Sequence, residues 1–303
     1  MSVKSTKKQH LAKNAPRKHA PSNPRAGNNR ATSRHGSATK MPTGAGKPPP
    51  KPPQNGYFIW GRHAVEAALA NPERRICAIY CAGDGTDWVS GIIAGLPSDR
   101  RNSLPDSRGI DRHRLDALGG ATEKAVHQGV AAAVWPLDPP HLEDFLATKG
   151  DGALRLVLLD QLSDPRNVGA IMRSARAFDV SAMITTYRNA AEENGVLART
   201  ASGALDHMPL IRVVNLARAI ETLQQNDILV AGLAGEGTVP VAALAAHHRL
   251  AIVLGAEGAG LRRLSRDHCD LLVAIDINRD ANSLNVSNAA AIALYAASLG
   301  TNQ

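Results

Sequence analysis

Short aliphatic runs recur along the C-terminal half of the chain, at Leu154–Leu159, Ala182–Thr185, Leu210–Val213, Ile228–Leu233, Leu250–Leu254 and Leu271–Ile275. Helical patterns lie between most of them, and a long one near Leu284–Leu299 closes the sequence. Near-continuous apolar runs alternating with helical stripes predict βαβ crossovers and a mainly parallel sheet covered on both faces. Ligands of such sheets bind beyond the carboxyl ends of the strands. Upstream, order begins at Tyr57-Phe58-Ile59-Trp60, and Val65, Ala68 and Leu69 mark a helix stopped by Asn71-Pro72. Ile76–Tyr80 and Val130–Val134 read as strands, Trp88–Leu96 and Arg112–Leu118 as weaker helices, and Pro97–Arg108 as a polar loop.

These patterns predict a small α/β domain over residues 57–135, a linker over 136–152 and a parallel-sheet domain over 153–303. The linker opens with the Pro-rich run Trp135–Pro140 and holds a short helical stretch near Leu142–Ala147. With aromatics at 3% and hydrophobic residues at 44%, any core is built from Ala, Val, Leu and Ile.

Charge separates the first 56 residues from the rest. They hold 12 of the 35 Lys and Arg, 9 of the 18 prolines and no acid, leaving 23 basic against 27 acidic side chains beyond. A segment with so little to bury reads as a disordered tail. Its charge suits a polyanion such as RNA, or else serves solubility alone. Cys77, Cys81 and Cys269 cannot make a disulfide scaffold or a zinc finger, so the thiols are expected to be reduced, in the cytoplasm. No apolar stretch reaches membrane-span length, and no apolar segment follows the basic start as in a secretory signal. An acid-free basic start also fits a mitochondrial presequence, against which its prolines argue.

Nucleotide signatures fail. Gly44-Ala45-Gly46-Lys47-Pro48 lacks P-loop spacing, and in Gly255-Ala256-Glu257-Gly258-Ala259-Gly260 an acid sits where a dinucleotide fingerprint needs glycine. Three segments instead stand out in the second domain. In the first, Asp164-Pro165 starts a helix whose Val168, Ile171, Met172, Ala175 and Phe178 form a buried stripe. Arg166 and Arg173, seven apart, share another face, which is either a phosphate site or a plain solvated face. In the second, Gly255, Gly258 and Gly260 follow a strand and allow close backbone approach to a ligand. A tight turn explains those glycines but not Glu257. The third, Asn282-Ser283-Leu284-Asn285-Val286-Ser287-Asn288, opens the last helix, as ordinary N-caps or as an anion acceptor.

Together these segments resemble the three signature motifs of the SpoU branch of the SPOUT methyltransferases. Asn167, Gly169 and Arg173 match the first motif, Gly255, Glu257 and Gly260 the second, and Ser283 to Ser287 the third. Trp60–Ala67 and His127–Val130 look like the ends of the small ribosomal-protein-like substrate-binding domain of the ribosomal members, and Ser202-Gly203-Ala204 with Pro209-Leu210 matches their middle section. The resemblance spans roughly residues 57–300 and is strongest to bacterial 23S rRNA guanosine-2′-O-methyltransferases. Two positions depart from the family. Asp276 stands in Ile275-Asp276-Ile277 where Ile-Pro-Met is usual, and Arg279 where glycine is common, putting a charge beside the expected cofactor loop.

The resemblance implies a Rossmann-like parallel-sheet domain ending in a trefoil knot, and methyl transfer from S-adenosylmethionine to a ribose 2′-oxygen of RNA. Catalysis would fall to Arg173, Asn167, Glu257, Ser283 and Asn285. The cofactor would contact Leu233, Gly235, Leu254, Gly255, Gly258, Ile275, Leu284 and Asn285. RNA would contact Arg166, Arg62, His63 and His127. No metal and no membrane are expected. The family pairs as homodimers through the last helix, where Ile292, Tyr295 and Leu299 form a stripe that either meets a second copy or faces its own core. Two alternatives remain: a tRNA ribose methyltransferase of the same branch, and an RNA-binding ribosome-assembly factor without catalysis.

Overall fold

The computed structural model describes residues 50–119, 126–278 and 283–300. Of the tail expected over residues 1–56, residues 1–49 fall outside them, as does the departure at Arg279, while residues 50–56 form no helix or strand. The first sheet takes β1 (Tyr57–Trp60), β2 (Ile76–Cys81), β3 (Ser107–Gly109) and β4 (Val130–Val134) in the order β1-β4-β2-β3. β4 runs antiparallel to both neighbours, and β3 parallel to β2. Its helices are α1 (Arg62–Ala70), α2 (Gly85–Ala94), α3 (Ser98–Ser103) and α4 (Arg112–Asp116). The expected polar loop at Pro97–Arg108 therefore holds a helix and a strand. α3 buries no residue of its own. It is held through Arg100, whose guanidinium donates to the carbonyls of Ala68, Leu69 and Arg74 and caps the open end of α1.

The second sheet takes β5 (Leu154–Asp160), β6 (Ala182–Thr186), β7 (Leu210–Val213), β8 (Leu229–Leu233), β9 (Val239–Pro240), β10 (Arg249–Gly255) and β11 (Leu271–Ala274). All pairs are parallel, in the order β7-β6-β5-β10-β8-β11-β9. Each of the six predicted runs is a strand, and the two-residue β9 is too short to show a period. The remaining helices are α5 (Leu142–Ala147), α6 (Pro165–Ala177), α7 (Gly195–Ala201), α8 (Leu216–Gln224), α9 (Arg263–Asp267) and α10 (Val286–Ser298).

One apolar cluster joins α6 and α10 to the sheet through Ile171, Met172, Ala293 and Leu294, and another joins α5 and α8 through Phe145, Leu146, Ile220 and Leu223. Leu142, Phe145 and Leu146, in the predicted linker, thus belong to the core of the large sheet. On α10 the core side is Ala290, Ala293, Leu294 and Ala297, while Ile292, Tyr295 and Leu299 are 39%, 56% and 48% exposed. The stripe does not face its own core. Tyr295 meets Phe178 edge to face.

The two sheets share a core. Ile59, Val65, Leu69 and Ile79 sit in one cluster with Val157, Leu197 and Leu294. Beside it Arg74, with 0% of its side chain exposed, donates to Asp206 at 2.7 Å, Glu193 at 2.6 Å and the Trp135 carbonyl at 2.9 Å. Burial, then the Glu193 charge, pushes the Tyr57 hydroxyl above its ordinary range. It remains a neutral donor to Glu193 at 2.6 Å. No helix among the described residues is long and apolar enough to cross a membrane.

Candidate active site

β10 follows β8 in the chain yet lies between β5 and β8, so the segments leaving β5, β8, β10 and β11 meet at one end of the sheet. Those leaving β8, β10 and β11, with the residues that open α10, line a cavity of about 670 Å³. Leu233 and Gly235 come from the exit of β8, Leu254, Gly255 and Gly258 from that of β10, and Ile275 from that of β11. Leu284 and Asn285 complete the wall ahead of α10. All eight residues expected at the cofactor line this space, as do Glu257 and Ser283.

At the start of α6, Asp164 accepts the Arg166 N–H at 2.9 Å and Pro165 occupies the first turn, fixing where Asn167 emerges. Asn167 Nδ2 donates to Glu257 Oε1 at 3.0 Å. Asn285 Nδ2 donates to the same oxygen at 2.6 Å and to Asn167 Oδ1 at 3.1 Å. The three signature segments therefore converge on one carboxylate. Asn285 is also the N-cap of α10, its Oδ1 accepting from the N–H of Ser287 at 2.9 Å and from the Ser287 hydroxyl. The capping reading of this segment holds for Asn285, and the other end of the same amide meets Glu257.

The glycine turn that carries Glu257 is closed on itself. Ala256 and Gly260 exchange backbone hydrogen bonds at 3.1 and 2.8 Å, and a Cβ on Gly255 would lie 2.2 Å from the Gly260 carbonyl carbon. Gly255 is thus required by loop closure as well as by access. Asp160, wholly buried at the end of β5, accepts the Arg262 backbone N–H at 2.9 Å and its Nε–H, pinning the far end of the turn. Neither Asp160 nor Arg262 was singled out from sequence. A pair 102 positions apart leaves no local pattern.

Arg173 stands outside this network. It is exposed and has no hydrogen-bond or ion-pair partner among the described residues, six residues beyond Asn167 on α6. Arg166 is exposed on the same side as Arg173. Asp276 is exposed and absent from the cavity wall, whereas Ile275 and Ile277 line it.

In the small domain Arg62 opens α1, pairs with Asp84 and lies 5.5 Å from the centre of the Trp88 ring, and His63 is exposed. His127 corrects the expectation of an RNA contact. It is 3% exposed, its Nδ1 accepts the Gly129 N–H at 2.9 Å, and its Nε2 meets Asp116 Oδ1 at 3.1 Å. Gln128 Oε1 accepts the Arg62 N–H at 3.0 Å, so this segment ties β4 to the start of α1. Glu236, Arg266 and Ile277 also line the cavity and were missed from sequence. An acid between Gly235 and Gly237, directly after a strand, repeats the Glu257 pattern and was the available signal. Among the described residues, no group of three or more His, Cys, Asp or Glu is placed to hold a metal ion.

A parallel α/β sheet with three motifs gathered around such a cavity is the SpoU methyltransferase fold, and the chain belongs to the SpoU rRNA Methylase family, whose profile matches residues 154–295. It is 43% identical over 243 residues to the 23S rRNA (guanosine-2′-O-)-methyltransferase RlmB of Xylella fastidiosa (strain Temecula1), covering 79% of this chain and 95% of that relative. It is 36% identical over 251 residues to RlmB of Escherichia coli (strain K12), covering 79% and 97%. The crystal structure of the SpoU methyltransferase AviRb from Streptomyces viridochromogenes, in complex with AdoMet, shares the fold. Its TM-score is 0.66 at 21% identity, over 81% of this chain and 90% of that one.

Proposed function

We propose that the protein methylates a guanosine of 23S rRNA, transferring the methyl group of S-adenosylmethionine to the ribose 2′-oxygen. The observation that carries this reading is the convergence of Asn167 and Asn285 on Glu257 at the wall of the cavity. The rRNA substrate is supported by relatives of that name that are 35–43% identical over more than three quarters of the chain.

The cavity fits the methyl donor. Its size lies in the ordinary cofactor range of about 300–1,000 Å³. Leu233, Leu254, Ile275 and Leu284 offer apolar wall for an adenine, and Gly235, Gly255 and Gly258 leave the backbone there without a side chain over it. When bound, the donor supplies a methyl group already activated by its sulfonium charge, so the reaction needs no metal ion.

The chain's own residues then align the acceptor and dispose of its proton. Asn167 and Asn285 hold Glu257, and Glu257 takes up the 2′-hydroxyl proton through a water, with Ser283 alongside. Arg173, a permanent cation, anchors the phosphate of the target nucleotide and offsets negative charge growing on the 2′-oxygen. Arg166, Arg62 and His63 extend the contact to RNA. The basic first 56 residues add affinity that falls steeply with salt.

Three further features belong to this proposal. The exposed stripe Ile292, Tyr295 and Leu299 supports a homodimer through α10. The placement of β10 between β5 and β8, with α10 packed on α6, supports a trefoil knot, one of the rare exceptions to unknotted topology. The free thiols Cys77, Cys81 and Cys269 support the cytoplasm.

The test is transfer of tritiated methyl from S-adenosylmethionine into total RNA from a strain lacking the gene, followed by size separation and nucleoside analysis. The expected product is 2′-O-methylguanosine in large-subunit rRNA. Label in tRNA would keep the chemistry and remove the ribosomal substrate. Absence of both label and cofactor binding would overturn the methyltransferase reading and favour the assembly factor.

A further inference from the structure

Three charged residues line the described part of the cavity: Glu236, Glu257 and Arg266. Glu257 is held by Asn167 and Asn285. The other two form an ion pair with no part in that network, Arg266 Nη2 to Glu236 Oε1 at 2.6 Å. Glu236 lies in the turn after β8 and Arg266 on α9, so the pair links two walls of the cavity. A Cβ on Gly237 would lie 2.6 Å from the Val273 carbonyl carbon, so the turn carrying Glu236 is pressed against β11 and its position is set.

Arg266 is also under-used. Its Nε is buried with no acceptor. The ligand-facing end of the side chain is its partly exposed guanidinium tip, and a guanidinium beside a cavity is stabilised by an anionic ligand. The Glu236–Arg266 pair is itself partly solvated, at 55% and 37% side-chain exposure. Pairs so exposed hold together weakly, and an incoming ligand can share them.

We propose that Arg266 and Glu236 form the subsite for the amino-acid end of the methyl donor, Arg266 taking its α-carboxylate and Glu236 its α-ammonium. This rests on the reading that the cavity takes S-adenosylmethionine. The charges match. Two acids and one cation leave the wall at −1, and a ligand with a sulfonium, an ammonium and a carboxylate carries +1. Arg266 is the single cation among the described lining residues, so a carboxylate entering the cavity has one side-chain partner of opposite charge.

The experiment is calorimetric titration of the full-length protein with three ligands. They are S-adenosylmethionine, its decarboxylated analogue, and the dimethylsulfonium analogue that lacks the whole amino-acid end. Wild type is expected to bind S-adenosylmethionine about 10- to 100-fold more tightly than the decarboxylated form, the usual weight of a hydrogen bond to a charged group. Arg266→Gln should weaken S-adenosylmethionine by that factor and leave the decarboxylated ligand unchanged, with Arg266→Lys between. Glu236→Gln should weaken both amine-bearing ligands and spare the dimethylsulfonium analogue. Equal losses for all three ligands in Arg266→Gln would make the pair a structural strut and overturn the inference. Equal wild-type affinity for the first two ligands would do the same. Failure of wild type to bind S-adenosylmethionine would instead overturn the reading of the cavity on which it rests.

Discussion

Asn285 Nδ2 lies 2.6 Å from Glu257 Oε1 while Oδ1 of the same amide accepts the Ser287 N–H at 2.9 Å. The helix cap decides which end of the amide faces α10, and the other end is thereby aimed at the acid. Folding of the last helix and placement of Glu257 are coupled through one side chain.

The two roles separate by substitution. Asn285→Asp keeps an acceptor for the Ser287 N–H and sets a second carboxylate against Glu257. Its thermal midpoint should stay near wild type, with methyl transfer down about a hundredfold or more, the weight of a positioned acid–base group. Asn285→Ala should lose that activity and also about 1 kcal/mol of stability in denaturant titration. Retained activity in Asn285→Asp would show that the contact with Glu257 does not matter.

Arg173 is exposed and absent from the cavity wall. Arg173→Ala should therefore abolish turnover in a single-turnover assay and leave S-adenosylmethionine affinity within about twofold in calorimetry, since a surface change of this kind ordinarily moves stability by no more than about 0.5 kcal/mol. A parallel loss of cofactor binding would make Arg173 a structural residue.

Asp160 is wholly buried and pins the glycine turn through Arg262, whose side chain is 45% exposed. Asp160→Ala leaves the Arg262 donors without their acceptor and should cost about 2 kcal/mol of stability. Arg262→Ala retains the backbone bond to Asp160 and should cost less. Both should weaken cofactor binding, read by calorimetry, because both loosen the wall formed by Gly255 and Gly258.

Arg74 offers a test of the shared core. Arg74→Met leaves Glu193 and Asp206 buried without their cation and should cost about 3–5 kcal/mol in chemical denaturation. A loss below about 1 kcal/mol would mean that the cluster relaxes and takes in water.

His207 gives a pH signature. Partial desolvation, then the Arg176 charge, lowers its pKa below the ordinary 6.5, against the pull of Asp206. The folded protein binds this proton less readily than the unfolded chain. Its contribution to stability is present above about pH 6.5 and is lost as pH falls through the depressed value. The thermal midpoint of wild type should drop in that interval, and His207→Asn should flatten that part of the profile.

Much of the secondary structure was legible because burial on both faces writes itself locally. All six apolar runs of the large sheet are strands, and Val168, Ile171, Met172 and Ala175 are the buried face of α6. α3 was missed because a distant contact, Arg100 on the end of α1, stabilises it in place of an apolar stripe. His127 was misassigned because nothing in its neighbours in sequence distinguishes a histidine packed on Asp116 from one facing solvent. The three motifs named the residues around the cavity but not their partners.

By itself the sequence determined most of the strands and helices and the three motifs, since each depends on residues within a few positions of one another. Tertiary structure alone decided that Asn167 reaches an acid 90 positions away and Asn285 a residue 118 positions away, that Asp160 clamps Arg262, and that Glu236 meets Arg266. Those contacts follow from the insertion of β10 between β5 and β8. Strand order in a parallel sheet is set by how crossovers bury both faces, a property of the whole chain that no local period records.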